Sequence, residues 1–141
     1  MASSATVDIP SQLLEQAKRF RMRKTSLPQG SASVMVFKID KKSLSLQVEE
    51  EFDSIPLDEL SEELPENSPR FLLVTYELVM KDGRLTFPMF IIYWSPQTSS
   101  MDQSTLYASS LSNFSVKVDV SKVISLRDGE VSKDLLDSHF L

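Results

Sequence analysis

The sequence predicts an α/β chain in which one sheet is covered by helices on both faces. Three observations carry that expectation. β-prone runs fall into two hairpin-like pairs, the second of them split by "KDGR". Two of those runs, "FLLVTY" and "MFIIYW", are apolar almost without interruption, as strands buried on both faces are. Segments with helical apolar spacing occur before, between and after the runs, so the coarse order reads αββαββαβα.

From the amino terminus, Asp8 is expected to cap a helix whose first turn accepts Pro10. Ile9, Leu13, Ala17 and Phe20 recur along it at i, i+4, i+8 and i+11. "SLPQG" is expected to end this helix, since Pro28 disfavours helical geometry at Leu27 and Gly30 permits a turn. "SVMVFKID" and "SLSLQVEEEF", separated by "KK", read as a hairpin. The acidic "PLDELSEELPE" reads as a short helix stopped by Pro65. In "RFLLVTYELVMKDGRLTFPMFIIYWSP" two long strands flank Asp82-Gly83, a hairpin signal because both central positions tolerate positive φ. These are expected to be the central strands. "STLYASSLSNFSVKV" reads as a helix flowing into a strand, with Leu106, Tyr107, Ser110, Leu111 and Phe114 on one arc of about 140°. "VDVSKVISL" follows as a strand and "VSKDLLDSHF" as a terminal helix.

With 141 residues, 15.9 kDa and 41% hydrophobic residues, the chain suits one domain with a real core. Residues 1–7 are expected to form a flexible amino terminus and residues 8–141 the domain. The lack of cysteine removes disulfides and thiolate chemistry, and fits a reducing compartment. "MASSATVD" has neither an apolar core region nor an Arg-rich pattern, and no apolar run approaches the roughly 20 residues that span a bilayer. A cytosolic protein without a membrane partner is the default. The net charge of −5 disfavours nucleic acid as a partner. Charge is also unevenly spread: "KRFRMRK" at 18–24 holds five cations and no anion, and residues 49–66 hold nine carboxylates and no cation. Solvated surface explains such runs, and so does an electrostatically steered partner.

Catalytic signals are nearly absent. His139 is the single histidine and lies near a chain end, so a metal cluster or a His-dependent nucleophile would rest on one residue. Gly30, Gly83 and Gly129 are scattered and make no phosphate-cradling loop. Glu49, Glu50 and Glu51 are adjacent carboxylates of the kind found at strand ends and solvated turns. A hydrolase with an unusual site remains a remote alternative.

The helix at 101–114 raises a more specific question. From Gln103 to Val116 no side chain is charged, and the arc opposite the apolar stripe holds Asp102, Thr105, Ser109 and Ser112. Where Lys and Glu usually solvate a helix, short side chains stand. The order of elements, with "YWSP" followed by "LYASS" on the long helix, resembles the actin-depolymerising-factor homology (ADF/cofilin) family. "AKRFRMRK", "LDELSEELPENSPRFLLVTYEL" and "DGRLTFPMFIIYWSP" are most similar to its glia maturation factor branch, and the resemblance covers residues 8–141. It implies an α+β type domain: a central mixed, mainly antiparallel sheet between helices, with no cofactor and a protein-binding rather than an enzymatic role.

Cofilins bind and sever actin filaments, whereas glia maturation factors bind the actin-related protein 2/3 complex, remove filament branches and inhibit new branching. In cofilins lysines precede the Tyr-Ala-Ser-Ser motif, at positions matching Asp102 and Ser104, and this chain has neither. The resemblance therefore implies the second activity, with a cofilin-like actin-binding role as the alternative. It also gives the bare helix face a purpose, because small side chains allow close docking with few desolvated charges. One implied surface joins Met101, Asp102, Thr105, Ser109 and Ser112 to Lys18, Arg19, Arg21, Arg23 and Lys24, and docks on the Arp2-type subunit. A second joins Lys81, Asp82 and Arg84 to Glu130 and Asp134, and contacts the first actin subunit of a daughter filament. A monomer at branched actin in the cytoplasm is expected, with a nuclear pool allowed.

Overall fold

The computed structural model describes residues 7–22, 30–127 and 131–141. Helix α1 (Ser11–Met22) precedes the strands β1 (Ser31–Asp40) and β2 (Ser45–Pro56). The short helix α2 (Leu57–Leu60) continues into a 3₁₀ turn at Ser61–Glu63. Then come β3 (Arg70–Tyr76), β4 (Leu78–Val79), β5 (Leu85–Thr86), β6 (Met89–Trp94), α3 (Met101–Val118), β7 (Val123–Leu126) and α4 (Lys133–Ser138). The central sheet has the order β2-β1-β3-β6-β7; every neighbouring pair is antiparallel except β6 with β7. It is mixed and mainly antiparallel, as expected.

Alternation along β3 divides the core. Phe71 and Leu73 join Met35, Phe37 and Ile91 against α1 and α3, while Leu72 and Val74 join Val36, Ile92 and Trp94 against α2 and α4. Both faces of β3 and β6 are thus dry, which explains their unbroken apolarity. Leu13, Ala17 and Phe20 are the buried stripe of α1, as their spacing predicts, whereas Ile9, expected as its first member, precedes the helix and is half-buried. Val7, one residue ahead of the expected domain start, is buried in the same layer.

Four local readings change. Asp8 does not cap α1: its N–H donates to Leu44 O at 2.8 Å and its carbonyl accepts from Leu46 N at 2.8 Å, an extended pairing beside β2. The Pro10 carbonyl accepts the first helical bonds instead, from Leu13 and Leu14. The expected end of α1 at "SLPQG" falls largely outside the described residues, of which only Gly30 is included, at φ 82°.

The second hairpin is one register interrupted rather than a continuous ladder. Thr75 pairs with Met89 and Leu78 with Thr86, so the register is conserved across the gap, and Pro88 within it has no N–H to give. Its tip is a three-residue loop closed by Met80 N–H to Arg84 O at 2.8 Å, with positive φ at Gly83 and not at Asp82. Glu49, Glu50 and Glu51 lie inside β2 rather than at a strand end, and Glu49 is gripped by Arg70 through Nε at 2.9 Å and Nη2 at 3.2 Å.

The fourth change matters most for the surface. Ser115–Val118, expected as the start of a strand, completes α3. Tyr107, Ser110, Phe114 and Val118 form its buried stripe, so tertiary packing overrides the β preference of valine. Asp119, at φ 60°, closes the helix by donating its N–H to Ser115 O and Val116 O.

Phe114 is the anchor of this helix. Its ring lies 5.0 Å from Phe37 and 4.9 Å from Phe71, and it is fully buried. Phe114→Ala is expected to destabilise the domain by about 3–5 kcal/mol, read as a lower urea midpoint at unchanged m value. A loss below about 1 kcal/mol would show that the helix is seated by other contacts.

A candidate partner-binding surface on two helices

Ser100 caps α3, its Oγ accepting the Gln103 N–H at 3.2 Å. From that start the helix turns Met101, Asp102, Thr105, Ser109 and Ser112 into solvent, as the sequence predicts. Met101 is 83% exposed. Two serine hydroxyls bond back to the helix: Ser109 Oγ, on the exposed face, donates to Leu106 O at 3.0 Å, and Ser110 Oγ, on the buried stripe, to the same carbonyl at 2.8 Å. On the exposed face, Ser109 thus has its hydroxyl bonded to its own helix and asks little of a partner. Sequence reading missed Ala108 and Val116, both exposed on this side, the latter at 74%. Val116 was hidden by the expectation of a strand; continuing the helical wheel past Phe114 would have found it.

Tyr107, the tyrosine of "LYASS", faces inward. Its hydroxyl accepts the Ile39 N–H at 2.8 Å, and burial pushes its pKa up. Between helix and sheet it ties the register of α3 to β1.

The basic end of α1 meets α3 at one end only. Arg21 Nη1 contacts Asp119 Oδ2 at 3.0 Å, and Lys18 and Arg21 share a cleft of about 220 Å³ with Leu14, Glu15, Lys117, Val118 and Asp119. Arg19 points elsewhere, 3.9 Å from Glu15. Arg23 and Lys24 lie outside the described residues. Asp102 stands fifteen residues before Lys117, about 22 Å away at 1.5 Å per residue. The first implied surface is therefore a strip running the length of α3, with cations at its far end, rather than one cluster.

The second implied surface is partly assembled. Lys81, Asp82 and Arg84 are exposed at the hairpin tip, where Asp82 Oδ2 pairs with Arg84 Nε at 2.6 Å and so absorbs most of its charge. Their neighbours in a cleft of about 330 Å³ are Met80, Phe140 and Leu141, which sequence reading did not select. Asp134 is exposed in the first turn of α4, apart from this cleft, and Glu130 lies outside the described residues. Val79, Leu85 and Phe87 add exposed apolar area to the hairpin.

Helix α4 is tied to the sheet by the buried Leu136 and by a half-buried hydrogen bond from Tyr76 Oη to Asp137 Oδ1 at 2.6 Å, with Lys133 Nζ on the other oxygen at 2.7 Å. Phe140 packs on Phe90 at 5.2 Å. Among the described residues no group of His, Cys, Asp and Glu is placed to hold a metal ion, and no helix is long and apolar enough to cross a membrane.

Comparison with known proteins shows the family. Residues 6–140 match the family model of cofilin/tropomyosin-type actin-binding proteins. The chain is 33% identical over 131 residues to human glia maturation factor beta, covering 92% of this chain and 89% of that one. It is 30% identical over 128 residues to the Drosophila melanogaster glia maturation factor, covering 91% and 90%. The chain belongs to the glia maturation factor branch of the ADF/cofilin family. The solution structure of the glia maturation factor from Caenorhabditis elegans superposes with a TM-score of 0.81 at 34% identity, over 99% of this chain and 100% of that one. Plasmodium berghei actin depolymerization factor 2, at 18% identity and a TM-score of 0.78, shares the fold. The central sheet between helical layers is thus that of an ADF-homology domain.

Tyr76 makes the stability of this family member sensitive to alkali. Burial first, and then the hydrogen bond to Asp137, raise its pKa above the ordinary value. The unfolded chain releases that proton from about pH 10 upward while the folded chain keeps it, so stability is full below pH 10 and falls as pH rises beyond. Urea unfolding at pH 8 and at pH 11 is expected to show the loss, and Tyr76→Phe to show a shallower decline. An equal decline in both proteins would assign it to other groups.

Proposed function

We propose that this chain binds the actin-related protein 2/3 complex, dissociates filament branches and inhibits branched actin nucleation. The observation that carries the reading is the outer face of α3, exposed over its length, without a cation from Met101 to Val116 and built of short side chains. At Asp102 and Ser104 the family's actin-severing members are expected to carry lysines, so this face suits the complex better than the side of a filament. Membership of the glia maturation factor branch supports the same partner.

The mechanism is competitive and mechanical. Docking of α3 on the Arp2-type subunit, with the cations of α1 steering the approach, favours an arrangement of the complex that the branch cannot keep. Only differential affinity for the separated state drives the change, and this chain hydrolyses no nucleotide. The hairpin tip, beside Phe140 and Leu141, contacts the first actin subunit of the daughter filament. The protein acts as a monomer in the cytoplasm, at branched actin.

Ser109→Glu tests the reading. Ser109 is exposed, so the variant is expected to keep its stability within about 0.5 kcal/mol. A carboxylate buried without a partner at a packed interface costs several kcal/mol, so pull-down of the purified complex and debranching seen by fluorescence microscopy are expected to fall by about 100-fold or more. Wild-type debranching by a folded Ser109→Glu protein would reject the reading. Capture of actin filaments in preference to the complex would favour a cofilin-like role.

A further inference from the structure

Where α1 and α3 end side by side, an ion pair stands that local rules disfavour. Asp119 sits in the left-handed region at φ 60°, a position that glycine or asparagine fills with less strain. It also sets a carboxylate against the carbonyl end of an 18-residue helix, where the helix dipole repels negative charge. Arg21 offsets both penalties, its Nη1 donating to Asp119 Oδ2 at 3.0 Å and lying 3.4 Å from the Asp119 carbonyl.

The two partners are unequally held. The Arg21 side chain is 33% exposed and that of Asp119 is 84% exposed, so the cation belongs to the cleft and the carboxylate rests on it from solvent. Lys18 and Lys117 line the same cleft and make no ion pair among the described residues. The other carboxylate there, Glu15, is engaged with Arg19. The cleft therefore sets three cations against two carboxylates: Asp119 loosely covers Arg21, and Glu15, largely exposed, lies 3.9 Å from Arg19 outside the cleft.

We propose that this cleft is a carboxylate-binding subsite of the partner surface, and that Asp119 is its built-in placeholder. An Asp or Glu side chain of the partner displaces Asp119 from Arg21 and gains Lys18 and Lys117 as further neighbours. The exchange trades one Arg–carboxylate pair for another, so no cation is stranded in the interface, and Asp119 turns into the solvent that already surrounds most of it. A cleft of about 220 Å³ between two helix ends fits a side chain, and the chain's net charge of −5 disfavours an anionic membrane as the occupant. The proposal rests on the proposed function for where the subsite acts and not for its chemistry.

Asp119→Asn separates masking from support. Asparagine accepts the left-handed conformation, so the cap is kept while the competing charge is removed. Hexa-aspartate is the probe, titrated at low salt and followed by NMR at the Arg21 Nε–H and the backbone amides of Lys18 and Lys117. Shifts are expected at these groups, with binding about two- to five-fold tighter in Asp119→Asn, the size of one surface ion pair. Binding is expected to be lost in Arg21→Gln and to weaken as salt rises. Unchanged or weaker binding by Asp119→Asn, with an unchanged thermal melt, would overturn the proposal by making Asp119 a support for Arg21. Binding to vesicles of phosphatidylserine and phosphatidylcholine but not to the peptide would overturn it equally. With the peptide result in hand, faster association of Asp119→Asn with the actin-related protein 2/3 complex places the subsite in that interface. An unchanged rate leaves the subsite standing and counts against the complex as its partner.

Discussion

Burial of the two central strands on both faces is the constraint from which the remaining structure follows. Neither β3 nor β6 has a wet side, so each face needs a helical layer, and each layer needs a wet side of its own. Helix α3 supplies the larger share of one layer. Its inner stripe is fixed by Phe114 between Phe37 and Phe71 and by Tyr107 on the Ile39 N–H, and at 100° per residue that leaves no choice about which side chains face out. Which positions make up the candidate docking face is thus a consequence of core packing, though which residues fill them is not.

Polar anchors fix what apolar packing leaves free. Sliding α3 by one turn would still bury apolar side chains, but it would leave the Ile39 N–H unpaired in the core. Trp94 plays the same part on the opposite face, donating Nε1–H to Pro65 O at 2.8 Å, and Tyr76 does so for α4 through Asp137. Each of these bonds joins segments far apart in sequence, so together they give the two layers a single register.

The strands and their order along the chain were readable because unbroken apolar runs and turn chemistry are local signals. What escaped was nonlocal. The carboxyl end of α3 resembles a strand by composition, and only its contacts with the sheet keep it helical, so Val116 was lost from the face it occupies. Asp8 looks like a helix cap until β2 is present to pair with it. Charge was read as a run, "KRFRMRK", whereas a helix deals successive cations to different sides: Arg19 toward Glu15, Arg21 toward Asp119. Phe140 and Leu141 carried no signal of their own, since their place beside the hairpin tip exists only once α4 is docked.

The same separation bears on how a small domain can distinguish related partners. The fold is shared by a protein with only 18% identity to this chain, so the fold alone does not select a partner. Selection falls to side chains that the core does not specify: the short residues along α3, which admit close approach, and the cations at its end, which admit only a complementary charge. A strip of short side chains without a cation is permissive, because many surfaces can lie against it. The proposed carboxylate subsite, some 22 Å from its start at 1.5 Å per residue, would be restrictive, because a partner would have to place a carboxylate there while it fills the strip. Permissive contact supplies area and the distant charge supplies register, so changes at either end of one helix can alter which partner is bound while the core beneath remains the same.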